Sequence, residues 1–232
     1  MERPAVFDEW SRNIRESFDR WADGLFPPEI FQERQGTQME SGHVILLNGT
    51  SSSGKTSIAR ALQEWLTEPY MNVSVDGFFN CYPEKFLNPR TREEAQAFGR
   101  LIPSVVSGLH GSVAALAEAG NNMIVDHVLE KSEWLNECVD RWAGLTVLFV
   151  GVRCPLETAE QRETARGDRN MGTARHQYDL VHAHGLYDLE VDTSLLKPDE
   201  CAANIIAMIH HQPAQSAFRK LADRRRHSST VG

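Results

Sequence analysis

The run Gly49-Thr50-Ser51-Ser52-Ser53-Gly54-Lys55-Thr56 sets two glycines, a lysine and a hydroxyl residue at the spacing G-x-x-x-x-G-K-[ST], that of a phosphate cradle. Glycine admits backbone conformations that other residues resist, so successive N–H groups can turn inward toward phosphate oxygens, and the positive end of a following helix adds to the field. Lys55 would reach the β and γ phosphates and the Thr56 hydroxyl would ligate magnesium. The expected cofactor-binding set therefore runs from Gly49 through Ser57, and the expected ligands are ATP and Mg²⁺.

GTPase switches, motor ATPases and kinases all share such a loop, so other residues must separate them. The Asn-Lys-x-Asp run with which guanine-specific domains read their base is absent from the chain, and motors generally need more length. A small-molecule kinase needs a base near an acceptor hydroxyl and positive charge to neutralise the moving phosphoryl group. Asp76, in Val73-Ser74-Val75-Asp76-Gly77, follows a strand-like stretch and suits the base; as half of an Asp-Gly pair it equally suits a turn cap. The aromatic run Phe78, Phe79, Tyr82 and Phe86 is a candidate acceptor wall, with plain core packing as the alternative. Arg162, Arg166 and Arg169 fall at i, i+4 and i+7, one face of a helix. They read either as a phosphate-clamping lid or as a solvated face paired with Glu157, Glu160 and Glu163. Asp126 ends the apolar run Met123-Ile124-Val125, the placement of a carboxylate that holds Mg²⁺ directly or through water, or that caps the next segment. His176, His182 and His184 are too irregularly spaced to read as a metal site.

The elements that must position these residues follow from periodicity. Short apolar runs alternate with longer helical ones, the pattern of a parallel sheet covered on both faces. Strands are expected at Val44–Leu47, Asn72–Val75, Met123–Asp126, Thr146–Val152 and Tyr187–Val191. Helices are expected at Lys55–Leu66, Thr91–Ala119 with a break at Pro103, Ser132–Trp142, Leu156–Arg166 and Asp199–His210. Upstream, Trp10, Ile14, Phe18, Trp21 and Leu25 recur at steps of three and four and predict an amphipathic helix. The organisation expected is a helix and linker over 1–36, a kinase domain over 43–212 with a lid near 155–175, and a basic, solvated tail over 213–232.

Composition narrows the partners. With 41% apolar and 24% charged residues, the 232-residue chain has the balance of a globular protein. Its net charge of −8 disfavours long nucleic acid, and neither a bilayer-length apolar run nor a signal peptide is read. A cytoplasmic location is the expectation. The four cysteines form no C-x-x-C pair and are expected to be reduced and partly buried. The predicted partner is a small molecule bearing a hydroxyl; a homo-oligomer through the N-terminal helix stays open.

The stretches Val150-Gly151-Val152-Arg153-Cys154, Arg162-Glu163-Thr164-Ala165-Arg166-Gly167-Asp168-Arg169 and Tyr187-Asp188-Leu189-Glu190-Val191-Asp192-Thr193, with Leu47-Asn48-Gly49 and Val75-Asp76, resemble the chloramphenicol phosphotransferase-like family of P-loop kinases. That resemblance implies an α/β fold like that of nucleoside-monophosphate kinases, a five-stranded parallel sheet with helices on both faces. It implies further that Asp76 matches the family's base, that Arg166 and Arg169 match lid arginines, and that the reaction is ATP-dependent O-phosphorylation of an antibiotic-like alcohol. The family's strand-end acidic pair stands here as Asp126-His127. Two other readings stay open: a nucleotide or metabolite kinase, and an ATP-binding regulatory module whose N-terminal helix contacts a protein.

Overall fold

Five short strands, the three central ones rich in Val, Ile and Leu, form one parallel sheet in the computed structural model, which describes residues 40–166, 172–211 and 215–229. In chain order the elements are β1 (His43–Asn48), α1 (Lys55–Trp65), β2 (Tyr70–Ser74), α2 (Val75–Phe79), α3 (Glu84–Leu87), α4 (Arg92–Glu118) and β3 (Asn122–His127). They continue with α5 (Ser132–Arg141), β4 (Thr146–Arg153), α6 (Leu156–Arg166), α7 (Thr173–Gln177), β5 (Leu189–Asp192), α8 (Pro198–His210) and α9 (Ala217–Ser229). The helix expected within residues 1–36 lies outside the described residues.

Strand order is β2-β3-β1-β4-β5, and every neighbouring pair is parallel. The middle strand, β1, is buried on both faces, which is why Val44-Ile45-Leu46-Leu47 is continuously apolar rather than alternating. Its side chains divide between two cores. Val44 and Leu46 pack with Leu109, Val113, Val125 and Phe149, whereas Ile45 and Leu47 pack with Ile58, Leu62, Val150 and Ile205. All five strands point their carboxyl ends at one edge of the sheet. The order reverses at β1, and a crevice at that edge is where such sheets bind ligands.

Three expectations change. Helix α4 runs unbroken through Pro103, against the predicted break. The bond that proline removes is the one to the Gly99 carbonyl, on an exposed stretch where water can take its place. A capping box at Thr91 and Glu94 starts the helix, and Val105, Val106, Leu109 and Val113 hold its second half in the core. Among the described residues α4 alone is long and apolar enough to cross a bilayer.

Strand β5 begins two residues later than predicted, because Tyr187 leaves the ladder to lie over Gly151, where a Cβ would come within 2.8 Å of its ring. The expected solvated tail is a helix. In α9, Phe218 stacks on Trp142 at 5.9 Å and meets Phe149 edge-on at 5.3 Å, while Arg225 donates to the Asn136 carbonyl at 2.6 Å and pairs with Asp140 at 3.1 Å. Cys138, Cys154 and Cys201 are buried, Cys81 is exposed, and all four are free thiols.

Candidate active site

Between β1 and α1 the chain closes into a tight loop that only glycine permits at two points. A Cβ on Gly49 would lie 2.4 Å from the Val152 carbonyl oxygen, and Gly54 sits at φ +97°, in the left-handed region. Ser52 also takes a positive φ, 60°, held by the loop around it. The hydroxyls of Ser52 and Ser53 are buried with no hydrogen-bond partner, an arrangement that suits a ligand rich in acceptor oxygens. Lys55 is buried and folds back, donating from Nζ to the Gly49 and Thr50 carbonyls at 2.9 and 2.8 Å.

One turn into the site, Thr56 Oγ donates to Asp126 Oδ2 at 2.7 Å, and Asp126 Oδ1 lies 3.7 Å from Lys55 Nζ. A hydroxyl and a carboxylate in contact beside a lysine fit magnesium, which takes one or two protein oxygens and fills its remaining positions with phosphate and water. The loop, Thr56 and Asp126 open on a cavity of about 550 Å³. Ser51, Ser52, Gly54, Lys55, Thr56 and Ser57 line it, whereas Gly49, Thr50 and Ser53 form the back of the loop.

Asp76 faces the same cavity. The sequence reading placed it just beyond a strand ending at Val75, but β2 ends at Ser74 and Val75 opens the short helix α2. Ser74 is the N-cap of α2, its Oγ accepting from the Gly77 N–H at 3.0 Å. The aromatic run after it does not make the wall. Phe79 pairs with Phe98 at 5.1 Å, Phe78 packs against the core, and Tyr82 and Phe86 are 37% and 49% exposed. The apolar wall is Val75, Ile102, Val106, Val128 and Trp134, from α2, α4, the end of β3 and α5.

On α6, Arg162 and Arg166 both line the cavity, while Arg169 lies outside the described residues. Arg162 grips Thr193 twice, donating from Nη1 to its hydroxyl and from Nη2 to its carbonyl, each at 2.9 Å. The Thr193 hydroxyl in turn donates to the Ser53 carbonyl at 2.8 Å, tying the end of β5 to the phosphate loop. Two of the three glutamates offered as partners for these arginines make other contacts. Glu160 pairs with Arg175 at 2.7 Å, and Glu163, 1% exposed, accepts from the Gly172 and Ala174 N–H groups at 2.9 and 3.0 Å.

Several residues at the site carried no sequence signal. Asn48, just before the loop, is fully buried and acts as a post: its Nδ2 donates to the Val181 carbonyl and the Tyr187 hydroxyl at 2.6 and 2.8 Å, and its Oδ1 accepts from the Leu129 N–H at 2.9 Å. His182 and His184 pack around Tyr187, and burial lowers the pKa of each to about 4. Behind the apolar wall His127 meets His110 at 2.9 Å, and His110 meets Glu137 at 3.0 Å. Burial, then the neighbouring His110, lowers the His127 pKa to about 3. Gln177 and Glu130 close one side of the cavity. Asn48 stands in the quoted entry to the loop but its role as a post is visible only in the fold, and a lone glutamine belongs to no motif.

Comparison with known proteins decides the family. The model of chloramphenicol phosphotransferase-like proteins matches residues 42–210. The chain belongs to that family. This phosphotransferase-like chain is 31% identical over 203 residues to a Mycobacterium tuberculosis (H37Rv) protein provisionally named an O-phosphotransferase, covering 80% of this chain and 90% of that one. In fold it resembles the M. tuberculosis APS kinase bound to AMPPNP and APS, at TM-score 0.55 and 17% identity over 73% of this chain and 98% of the other. It also resembles the Acinetobacter baumannii shikimate kinase with shikimate, at TM-score 0.54 and 15% identity over 76% and 97%. The protein is a small-molecule kinase with a P-loop nucleotide site.

Proposed function

We propose that the enzyme transfers the γ-phosphoryl group of ATP, with Mg²⁺, to a hydroxyl of an uncharged or cationic alcohol with an apolar or aromatic body, an antibiotic-like compound of the chloramphenicol type among them. The observation that carries this reading is that one cavity holds the phosphate loop with Thr56 and Asp126, and also Asp76 against an apolar wall.

Loop amides and the Ser52 hydroxyl would hold the phosphates, and Lys55, released from the loop carbonyls, would meet the terminal ones. Leu196 and Pro198 give the cavity an apolar margin beside Arg162, suited to a nucleobase. Thr56 and Asp126 would hold magnesium, which would supply charge neutralisation for the phosphates. Asp76 orients the acceptor hydroxyl and takes its proton as the new O–P bond forms and the bond to the β-phosphate oxygen breaks. Arg166 and Arg169 match the family's lid arginines and would offset the charge spread over the transferring group.

Acceptor class follows from charge. The cations lining the cavity among the described residues are Lys55, Arg162 and Arg166, from the phosphate helix and the lid, while the apolar wall is accompanied by Asp76 and Glu130. Such a wall disfavours a carboxylate or phosphate on the acceptor. A cytoplasmic place, where ATP and magnesium are supplied, accords with this chemistry. The test is incubation with ATP, Mg²⁺ and a panel of chloramphenicol, amino alcohols and anionic metabolite alcohols, read by mass spectrometry. Gain of one phosphoryl mass on a neutral or cationic alcohol is expected; phosphorylation confined to the anionic members would overturn the acceptor class.

A further inference from the structure

Gln177, the last residue of α7, reaches into the phosphate loop: its Oε1 accepts from the Ser51 N–H at 2.8 Å, where a phosphate oxygen would otherwise bind. Its other end is fixed too, because Nε2 donates to Glu130 Oε2 at 3.2 Å. These two neighbours dictate which way the side-chain amide points, since an N–H demands the oxygen and a carboxylate demands the nitrogen. Glu130 stands four residues beyond Asp126, and it lines the same cavity as the apolar wall. The stem of α7 is pinned to α6 by Glu163, through the Gly172 and Ala174 N–H groups, so the position of Gln177 is set by the lid helix.

We propose that Gln177 is an internal occupant of the phosphate nest that nucleotide must displace, and that its displacement releases Glu130 to bind a hydrogen-bond donor of the acceptor. The inference rests on the phosphate-cradle reading above and adds a coupling between the two ends of the cavity. A neutral amide oxygen is a weaker acceptor than a charged phosphate oxygen, so the triphosphate wins the Ser51 amide, at the cost of the glutamine contact. With that contact gone, nothing at the nest holds the amide against Glu130, and the carboxylate becomes available to an O–H or N–H of the incoming alcohol. Donor binding thus favours acceptor binding, because the ligand changes the relative stability of two side-chain arrangements. Gln177 and Glu130 are positioning residues for this order of binding.

The experiment is titration of the full chain, in magnesium, with ADP and with a non-hydrolysable ATP analogue. Gln177→Ala should bind nucleotide about three- to tenfold more tightly than the wild type, and Glu130→Gln more tightly by a smaller factor, because each weakens the occupant. Exchange of the pair, Gln177→Glu with Glu130→Gln, keeps a hydrogen bond but puts a carboxylate in the nest, and should weaken binding at least tenfold. A merely structural lesion would not tighten binding, and thermal melts verify that each variant folds. Unchanged or weaker binding by both single variants, with wild-type affinity intact, overturns the proposal alone. No nucleotide affinity in the wild type would sink the phosphate-cradle reading beneath it.

Discussion

The two ends of the cavity are built by different means. At the proposed phosphate end nearly everything comes from eight consecutive residues, 49–56, that run from the end of β1 into the first turn of α1, with Asp126 arriving at 2.7 Å from Thr56. Backbone N–H groups would do the binding there, and backbone geometry is written locally, by glycine positions and by the strand and helix on either side. At the proposed acceptor end Asp76, Ile102, Val106, Val128, Glu130 and Trp134 come from four separate stretches, brought together by the order of strands and by the packing of α4 and α5 on the sheet. The difference teaches where a sequence can be trusted to name a ligand. A triphosphate is specified by a loop; an alcohol is specified by a wall that exists only after folding.

Mutations at each end should therefore fail differently. The largest effect is expected from Lys55→Ala, which should lower phosphoryl transfer by about 10³-fold or more, since the lysine answers charge that develops on the transferring group. Steady-state rates decide it, and a loss of less than tenfold would break the donor-end account. Asp76→Asn should lower kcat by about 10²- to 10⁴-fold with nucleotide affinity unchanged. If its nucleotide affinity fell as far as its rate, the separation of the two ends would be wrong. Asp126→Asn should raise the magnesium concentration needed for half-maximal rate by about tenfold or more, with acceptor KM little moved.

Trp134→Ala sharpens the comparison from the other side. It should raise acceptor KM by about tenfold and leave nucleotide affinity alone, because the ring supplies apolar contact to one end only.

The smallest effect concerns stability. His182 and His184 are kept neutral by burial, each with its pKa lowered to about 4, whereas the unfolded chain takes up these protons near the ordinary value of about 6.5. Between those values the unfolded state binds more protons, so this contribution is complete above pH 6.5 and is lost as the pH falls toward 4. The slope is a fraction of the about 1.4 kcal/mol per pH unit that a fully buried histidine would show, because both rings are partly exposed. Melting temperatures at pH 7 and pH 5 should show the decline, and His184→Gln should flatten it.

How far the sequence could be read follows the same division. All five strands and the phosphate loop were legible because each is marked by a contiguous pattern, as in Val44-Ile45-Leu46-Leu47 followed by Gly49. Asp76 and Asp126 stand out in the sequence by their nearness to strand ends, and both line the cavity, which is as far as the structure takes the roles expected of them. Val75 looked like strand because it is β-branched, but the Ser74 hydroxyl captures the Gly77 N–H and turns the chain into a helix one residue early. Pro103 looked like a break because a local rule cannot know that the second half of α4 is held by the core. α9 escaped notice because its basic run outweighs three buried side chains, Ala217, Phe218 and Leu221, and the rings that Phe218 meets, Trp142 and Phe149, lie far back in the chain. The sequence offers an aromatic wall beside Asp76, whereas the aromatic ring that lines the cavity is Trp134 from α5. Neither Gln177 nor Glu130 has any meaning until α7 is folded onto the loop.

The most direct test is equilibrium binding of ATP to the purified wild-type chain, with and without magnesium, beside Lys55→Ala. Saturable binding that strengthens with magnesium, in the micromolar to millimolar range usual for such sites, and that weakens sharply in the variant is the expected result. No saturable binding by the wild type at millimolar ATP with magnesium present would contradict the account.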